Sequence, residues 1–128
     1  MNGNLLDTNV IIRILNGDEH LFKELSSFNN FCTSVIVLGE LLYGATKSAR
    51  SEQNKQNAKV FCSNFPILEV DERVSEAYGA IKKDLLAHGN VMPENDMWIA
   101  ATAIANDVTV ISQDKHFEHI QGLSVIKL

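Results

Sequence analysis

The stretch Pro93–Asp114, PENDMWIAATAIANDVTVISQD, decides the fold. Pro93 lacks an N–H and suits the threshold of a helix, so a helix is predicted over about 95–106. Val108-Thr109-Val110-Ile111 is a β-branched run and reads as a strand. Asp114 follows three residues after Ile111. Within the helix, Ala100 and Ala103 lie at i+4 and i+7 from Asp96, within about 40° of one line. Side chains that small let the helix approach a neighbour closely and bring Asp96 with it.

The same alternation extends outward in both directions. Gly3 to Leu6 is a short apolar run ending at Asp7, and Asp7-Thr8-Asn9 is a helix-start signal before Val10 to Leu15. Gly17-Asp18 closes that helix and opens another over about 18–28. Phe31-Cys32-Thr33 is a second strand, and Ser34 caps a helix over about 35–48 with apolar Val35, Leu38, Leu41, Leu42 and Ala45. A polar stretch from Lys47 to Asn57 leads into Ala58 to Phe65. Pro66 to Val70 is a third strand, Asp71-Glu72 starts a helix running to about His88, and Gly89-Asn90 is a turn. Leu123 to Ile126 is a fifth strand. Strands separated by helices pair in parallel through right-handed crossovers. The expectation is a three-layer α/β sandwich, with a central, mostly parallel sheet of four or five strands and helices on both faces. In such sheets ligands bind beyond the carboxyl ends of the strands.

The chain has 128 residues, which predicts one domain over 1–128. Hydrophobic residues at 45% and charged residues at 21% suit a folded core and argue against disorder. Lys and Arg number 11 against 16 Asp and Glu, a formal charge of −5, which speaks against holding nucleic acid by bulk charge alone. The longest apolar runs, around Val35–Leu38 and Ile99–Ala101, fall far short of the roughly 20 residues that span a bilayer. No leader pattern precedes Asp7, and Cys32 and Cys62 stand apart with no metal-site spacing. Buried, reduced thiols in a cytoplasmic protein are expected, with pairing of the two left open.

Four carboxylates occupy telling positions. Asp7 and Asp114 fall at the carboxyl edge of the sheet, Asp96 opens a helix, and Glu40 lies inside an otherwise apolar helix. Each alone reads as a cap, a turn residue or a surface acid. Converging, they would repel one another and drift toward protonation unless a cation sat among them. Mg²⁺ and Mn²⁺ favour such oxygen donors and serve in-line phosphoryl displacement. The chain holds no GxSxG, Walker A or HExxH pattern.

Four segments together resemble the motifs of PIN-domain ribonucleases. They are Leu5-Leu6-Asp7-Thr8-Asn9-Val10, Ser34 to Ala45 with its Tyr43-Gly44-Ala45 tail, Pro93 to Ala103, and Val110 to Phe117 followed by Gly122-Leu123. They run in family order from 5 to 123, and the second and third look most like VapC-type toxins of toxin–antitoxin pairs. The resemblance implies a PIN-like fold with Asp7, Glu40 and Asp96 as a catalytic, metal-binding triad and Asp114 as the fourth acid. It implies Thr8 and Asn9 as groups orienting Asp7, and Ser112, where the family usually has Thr, as a hydroxyl bonded to a carboxylate or a metal-held water. It further implies an Mg²⁺- or Mn²⁺-dependent endoribonuclease acting on an RNA such as tRNA or rRNA. Water attacks a scissile phosphate to leave a 5′-phosphate and a 3′-hydroxyl. The expected partners are a cognate antitoxin and a second copy of the chain, with no membrane. If four of the 16 acids hold metal, the acidity is partly a catalytic pocket counted without its ions.

Lys47, seven residues beyond Glu40, and Lys115, beside Asp114, are candidate RNA-phosphate contacts. Trp98, Tyr43 and Phe117 are expected to pack, Tyr43 and Phe117 in the core. His116 and His119 are spaced i, i+3 but lack a third soft ligand for zinc. An exposed apolar patch within 10–28, the helical pair holding Arg13, would support antitoxin contact there. Two other readings stay open. A haloacid-dehalogenase-like phosphatase also places an Asp after its first strand, though it wants Asp where this chain has Asn9. A catalytically silent PIN module would bind RNA or protein only.

Overall fold

Leu5 and Leu6 are chain neighbours and must point to opposite faces of a strand, yet they are 0% and 2% exposed. A strand buried on both faces belongs in the middle of a parallel sheet covered by helices on either side. The computed structural model, which describes residues 3–128, has this arrangement. Strands β1 (Asn4–Leu6), β2 (Phe31–Ser34), β3 (Ile67–Leu68), β4 (Thr109–Ser112) and β5 (Val125–Lys127) form one sheet in the order β3-β2-β1-β4-β5. Every pairing is parallel. The sheet is therefore wholly rather than mostly parallel, with the upper of the two expected strand counts.

Six helices connect the strands: α1 (Thr8–Leu15), α2 (Glu19–Leu25), α3 (Val35–Thr46), α4 (Ser51–Cys62), α5 (Glu72–Ala87) and α6 (Glu94–Ala105). A 3₁₀ turn, Lys115–His119, follows β4. Right-handed crossovers put α1 to α4 on one face and α5 and α6 on the other, because the chain steps away from β1 first in one direction and then in the other. The reversal falls between β1 and β4. This is the switch point at which doubly wound sheets open a crevice.

Local chemistry sets the boundaries. Asp7, Ser34 and Asp71 each accept a backbone N–H as N-cap of the helix that follows. Pro66 contributes its carbonyl to Thr33 N at 3.0 Å, and the strand after it pairs at only two positions, with Glu69 and Val70 exposed at the sheet edge. Gly3 is required where it stands: a Cβ would sit 2.8 Å from the Asn30 carbonyl oxygen.

Two expectations need correction. The polar stretch 47–57 is more than a lead-in to 58–65: from Ser51 onward it is the first part of helix α4, which ends at Cys62. That helix buries only Ala58 and Cys62, so its apolar stripe is too thin to read from periodicity. Tyr43 is not in the core but 64% exposed. Helix α3 buries Val37, Leu41 and Ala45, a row at i, i+4 and i+8, and Tyr43 lies roughly 200° around from Leu41. Phe117 is fully buried, and Trp98 stacks on Tyr78 with ring centroids 3.9 Å apart and planes 5° off parallel. Cys32 and Cys62 are buried free thiols, and burial pushes the Cys32 thiol up to about 11.

Candidate active site

Asp7 leaves β1 at the switch point and is held from several directions. Its Oδ1 accepts the Thr8 backbone N–H at 2.8 Å. Its Oδ2 accepts the Ser112 hydroxyl at 2.6 Å and the Asn9 amide at 3.2 Å. Ser112 ends β4, so this bond ties the two strands flanking the crevice. The Ser112 oxygen also accepts the Asp114 backbone N–H at 2.9 Å. The hydroxyl proton points at Asp7, since a carboxylate oxygen can only accept. Asn9 completes the clasp by accepting the Gln113 N–H at 3.2 Å through its Oδ1. Asp7 is 4% exposed. Burial raises its pKa above the ordinary value, the Ser112 and Thr8 donors oppose the rise, and Glu40 and Asp114 add to it.

Glu40 reaches the same crevice from α3. Thr8 donates its hydroxyl to Glu40 Oε1 at 2.5 Å, and Asn95 donates its amide to Oε2 at 3.4 Å. Thr8 therefore serves two acids, Asp7 through its backbone and Glu40 through its side chain. Sequence reasoning gave it only the first, and did not single out Asn95.

Asp96 stands in the first turn of α6 and Asp114 caps the 3₁₀ turn after β4. Asp96 has its pKa raised to about 7, first by burial and then by the negative charges of Asp7, Asp114 and Glu40, with His116 acting against them. His116 comes in beside these two acids. Its Nδ1 is 3.0 Å from Asp114 Oδ1 and 3.8 Å from Asp96 Oδ2. The turn is pinned by Phe117, so the ring has a fixed base. The sequence offers His116 only as an i, i+3 pair with His119 that lacks a third soft ligand, and not as a neighbour of these acids. Its place in the Asp114-Lys115-His116-Phe117 motif was the available signal.

The fold thus brings Asp7, Glu40, Asp96 and Asp114 to one crevice, with Thr8, Asn9 and Ser112 bonded among them. It does not bring Lys47 to them: Lys47 caps the end of α3 with its ammonium 4.5 Å over the Tyr43 ring. Lys115 is exposed on the 3₁₀ turn. Among the described residues, no Lys or Arg pairs with any of the four acids; the Lys and Arg ion pairs are Arg13–Asp18, Lys55–Glu52, Arg73–Asp71 and Lys82–Glu94. Like charges gathered without a fixed countercharge form a group that can hold a divalent cation. One carboxylate oxygen each from Asp96 and Asp114 and a nitrogen of His116 already lie within 4.8 Å of one another.

A doubly wound parallel sheet with acids from β1, α3, α6 and the turn after β4 meeting at its switch point defines a class: α/β proteins with an acidic, cation-ready crevice. The PIN domain profile matches residues 5–123, which span all four acids. The chain belongs to the PIN domain family and, within it, to the VapC ribonucleases. It is 32% identical to "Ribonuclease VapC2" of Rickettsia felis over 124 residues, covering 93% of this chain and 92% of that protein. It is also 32% identical to the "tRNA(fMet)-specific endonuclease VapC" of Salmonella typhimurium over 124 residues, 94% of each. The structure of DNA-bound VapBC from Salmonella typhimurium superimposes with a TM-score of 0.90 at 30% identity, over 99% of this chain and 98% of that one.

Proposed function

We propose that this chain is a divalent-metal-dependent endoribonuclease and the toxin of a toxin–antitoxin pair, folded as a single PIN-like domain over 1–128. The observation that carries the reading is the convergence of Asp7, Glu40, Asp96 and Asp114 without a Lys or Arg countercharge, in a member of the VapC ribonucleases. Mg²⁺ or Mn²⁺ bound there would supply a water of lowered pKa and neutralise charge on the phosphate in flight. The protein's own part is placement. Ser112, Asn9 and the Thr8 N–H fix Asp7 before any ligand arrives, and Thr8 and Asn95 fix Glu40. Groups locked in this way need no reorganisation during reaction. Cleavage by water leaves a 5′-phosphate and a 3′-hydroxyl. Lys115, exposed beside Asp114, is the candidate to meet an incoming phosphate. Lys47, turned to Tyr43, has the weaker claim.

The partner reading rests on surface chemistry as well as kinship. Ile12, Leu15 and Phe22, on α1 and α2, are 42%, 39% and 65% exposed. Apolar groups of this size left in solvent suit a protein partner, and the neighbouring Salmonella structure is a VapBC assembly. An antitoxin segment laid along α1 and α2, a homodimer, and a cytoplasmic location complete the proposal. No helix among the described residues is long and apolar enough to cross a membrane.

The test is cleavage of a mixed cellular RNA pool by the purified chain with Mg²⁺ or Mn²⁺, and with EDTA as control. Mapping of new 5′ ends then identifies the substrate, with initiator tRNA the first to try, since the Salmonella relative is named for it. Cation-dependent cleavage that disappears in Asp7→Asn is expected. Cleavage unchanged in EDTA, or in Asp7→Asn, would overturn the reading.

A further inference from the structure

The four acids do not account for everything that faces the crevice. His116 presents Nδ1 toward Asp114 Oδ1 at 3.0 Å and Asp96 Oδ2 at 3.8 Å. Neighbouring ligands on an octahedral ion with bonds of about 2.1 Å sit about 3.0 Å apart, and opposite ones about 4.2 Å. Both separations from Nδ1 fall within that span, and one ligand atom from each of the three residues lies within 4.8 Å of the others, so small side-chain movements bring all three onto one small cation. The ring is also well mounted. Its own backbone N–H donates to Asp114 Oδ1 at 2.9 Å, and the next residue, Phe117, is fully buried. Ligand and carboxylate thus move as one rigid turn.

We propose that His116 is a ligand to the divalent cation through Nδ1, beside Asp96 and Asp114, and that this nitrogen makes the site favour Mn²⁺ over Mg²⁺. The proposal rests on the metal-dependent reading given above and deepens it. The chemistry is that of donor type. Mg²⁺ takes oxygen ligands in a tight octahedron and keeps its waters, whereas imidazole nitrogen binds first-row transition ions better. An oxygen-only crevice would leave the choice to the ion's availability. Adding one imidazole to two carboxylates shifts it toward the ion that accepts nitrogen. With no metal, the same Nδ1 serves as a hydrogen-bond partner of Asp114, which explains why it lies so close to two acids while remaining partly solvent-exposed.

The experiment uses the full chain loaded with Mn²⁺ and pulsed electron paramagnetic resonance to look for a directly bound nitrogen. The expected result is a strong ¹⁴N modulation that changes in form when the protein is grown with ¹⁵N-histidine, which leaves the sequence intact. His116→Gln should lose the modulation. It should also weaken Mn²⁺ binding about tenfold, as a lost ligand does, while Mg²⁺ binding moves less than about twofold. Bound Mn²⁺ without nitrogen coupling in the unaltered protein would overturn the proposal, as would equal losses for the two ions in His116→Gln or no Mn²⁺ binding at all. RNA cleavage that persists without the nitrogen signal would remove His116 from the metal and leave the ribonuclease reading standing. A nitrogen signal in a protein that cleaves no RNA would do the reverse.

Discussion

Asp7 and Asp96 are both buried carboxylates in one crevice, and the fold treats them in opposite ways. Asp7 sits where two strands end, and three donors satisfy its oxygens. Asp96 sits in the first turn of a helix lined with small residues, and among the described residues no side chain donates a hydrogen bond to its carboxylate. His116 comes nearest, at 3.8 Å. Burial raises both pKa values, but only for Asp7 do hydrogen bonds push back, and Asp96 alone is carried to about 7. One half of the crevice is finished without a ligand and the other waits for positive charge. Hydrogen bonds hold the Asp7 side in place, while negative charge without donors to offset it is concentrated on the Asp96 side.

The strongest way to break this contrast is to neutralise each acid in turn. Both Asp7→Asn and Asp96→Asn should lower metal-dependent RNA cleavage by roughly a thousandfold or more, since each would remove charge from the proposed cation site. Their effects on the metal-free fold should differ in sign. At Asp7 the amide puts a donor where two donors already point, leaving buried groups unpaired, at a cost of about 1–3 kcal/mol. At Asp96 the same change removes a repelling charge and should raise the melting temperature above pH 7. Urea unfolding of both variants in EDTA measures this. Equal destabilisation by the two changes would erase the distinction between the halves.

The next effect concerns pH. Asp96 has an ordinary value of 3.8 when unfolded and about 7 when folded. Below pH 3.8 both states carry the proton and the site costs nothing. Between the two values the folded state keeps a proton that the unfolded chain has lost, so stability falls as pH rises through about 7. Asp7 shifts in the same direction. The metal-free protein should therefore lose on the order of a few kcal/mol between pH 4 and pH 8, and saturating Mn²⁺ or Mg²⁺ should restore most of it. Asp18, Asp71 and Glu94 have lowered pKa values, so their contributions fade only below about pH 4.5 and leave the window from 5 to 8 clear. A melting temperature that rises across that window in EDTA would contradict the picture, and Asp96→Asn should flatten the slope.

Much of this is legible in the sequence, and the reasons are physical. Val108 to Ile111 could hardly be anything but a strand, and an Asp soon after each of two strands marks the carboxyl edge of a parallel sheet. Strand order was not legible, because nothing in β1 or β4 says which neighbour it pairs with; the switch point emerged only with the topology. Helix α4 was obscured because it buries two residues out of three turns. Tyr43 was misplaced because α3 is apolar around much of its circumference, and residue type alone does not select the buried row. His116 was hidden for a different reason. The spacing pairs it with His119, whereas in space it meets Asp114, two residues away, and Asp96, twenty residues back on a helix packed against the turn.

Ser112 offers the smallest and sharpest test, because it belongs to both halves. Its hydroxyl donates to Asp7 and its oxygen receives the Asp114 N–H, so a single oxygen couples the finished acid to the start of the turn that carries Asp114 and His116. Ser112→Ala deletes the donor and the acceptor together in a fully buried spot. Asp7 Oδ2, left with the Asn9 amide alone, and the unpaired Asp114 N–H should cost about 1–3 kcal/mol of stability. Cleavage should fall roughly tenfold, in line with the loss of a group that orients a metal ligand. Ser112→Thr keeps the oxygen and adds a methyl, and stability and rate should stay within about twofold of the unaltered chain. The informative quantity is the metal affinity of Ser112→Ala. If Ser112 served Asp7 alone, the variant would bind Mn²⁺ at the Asp96 side as before. A weakened Mn²⁺ affinity, rescued in Ser112→Thr, would show that placement on the Asp7 side is transmitted through one hydroxyl to the acids that wait for charge.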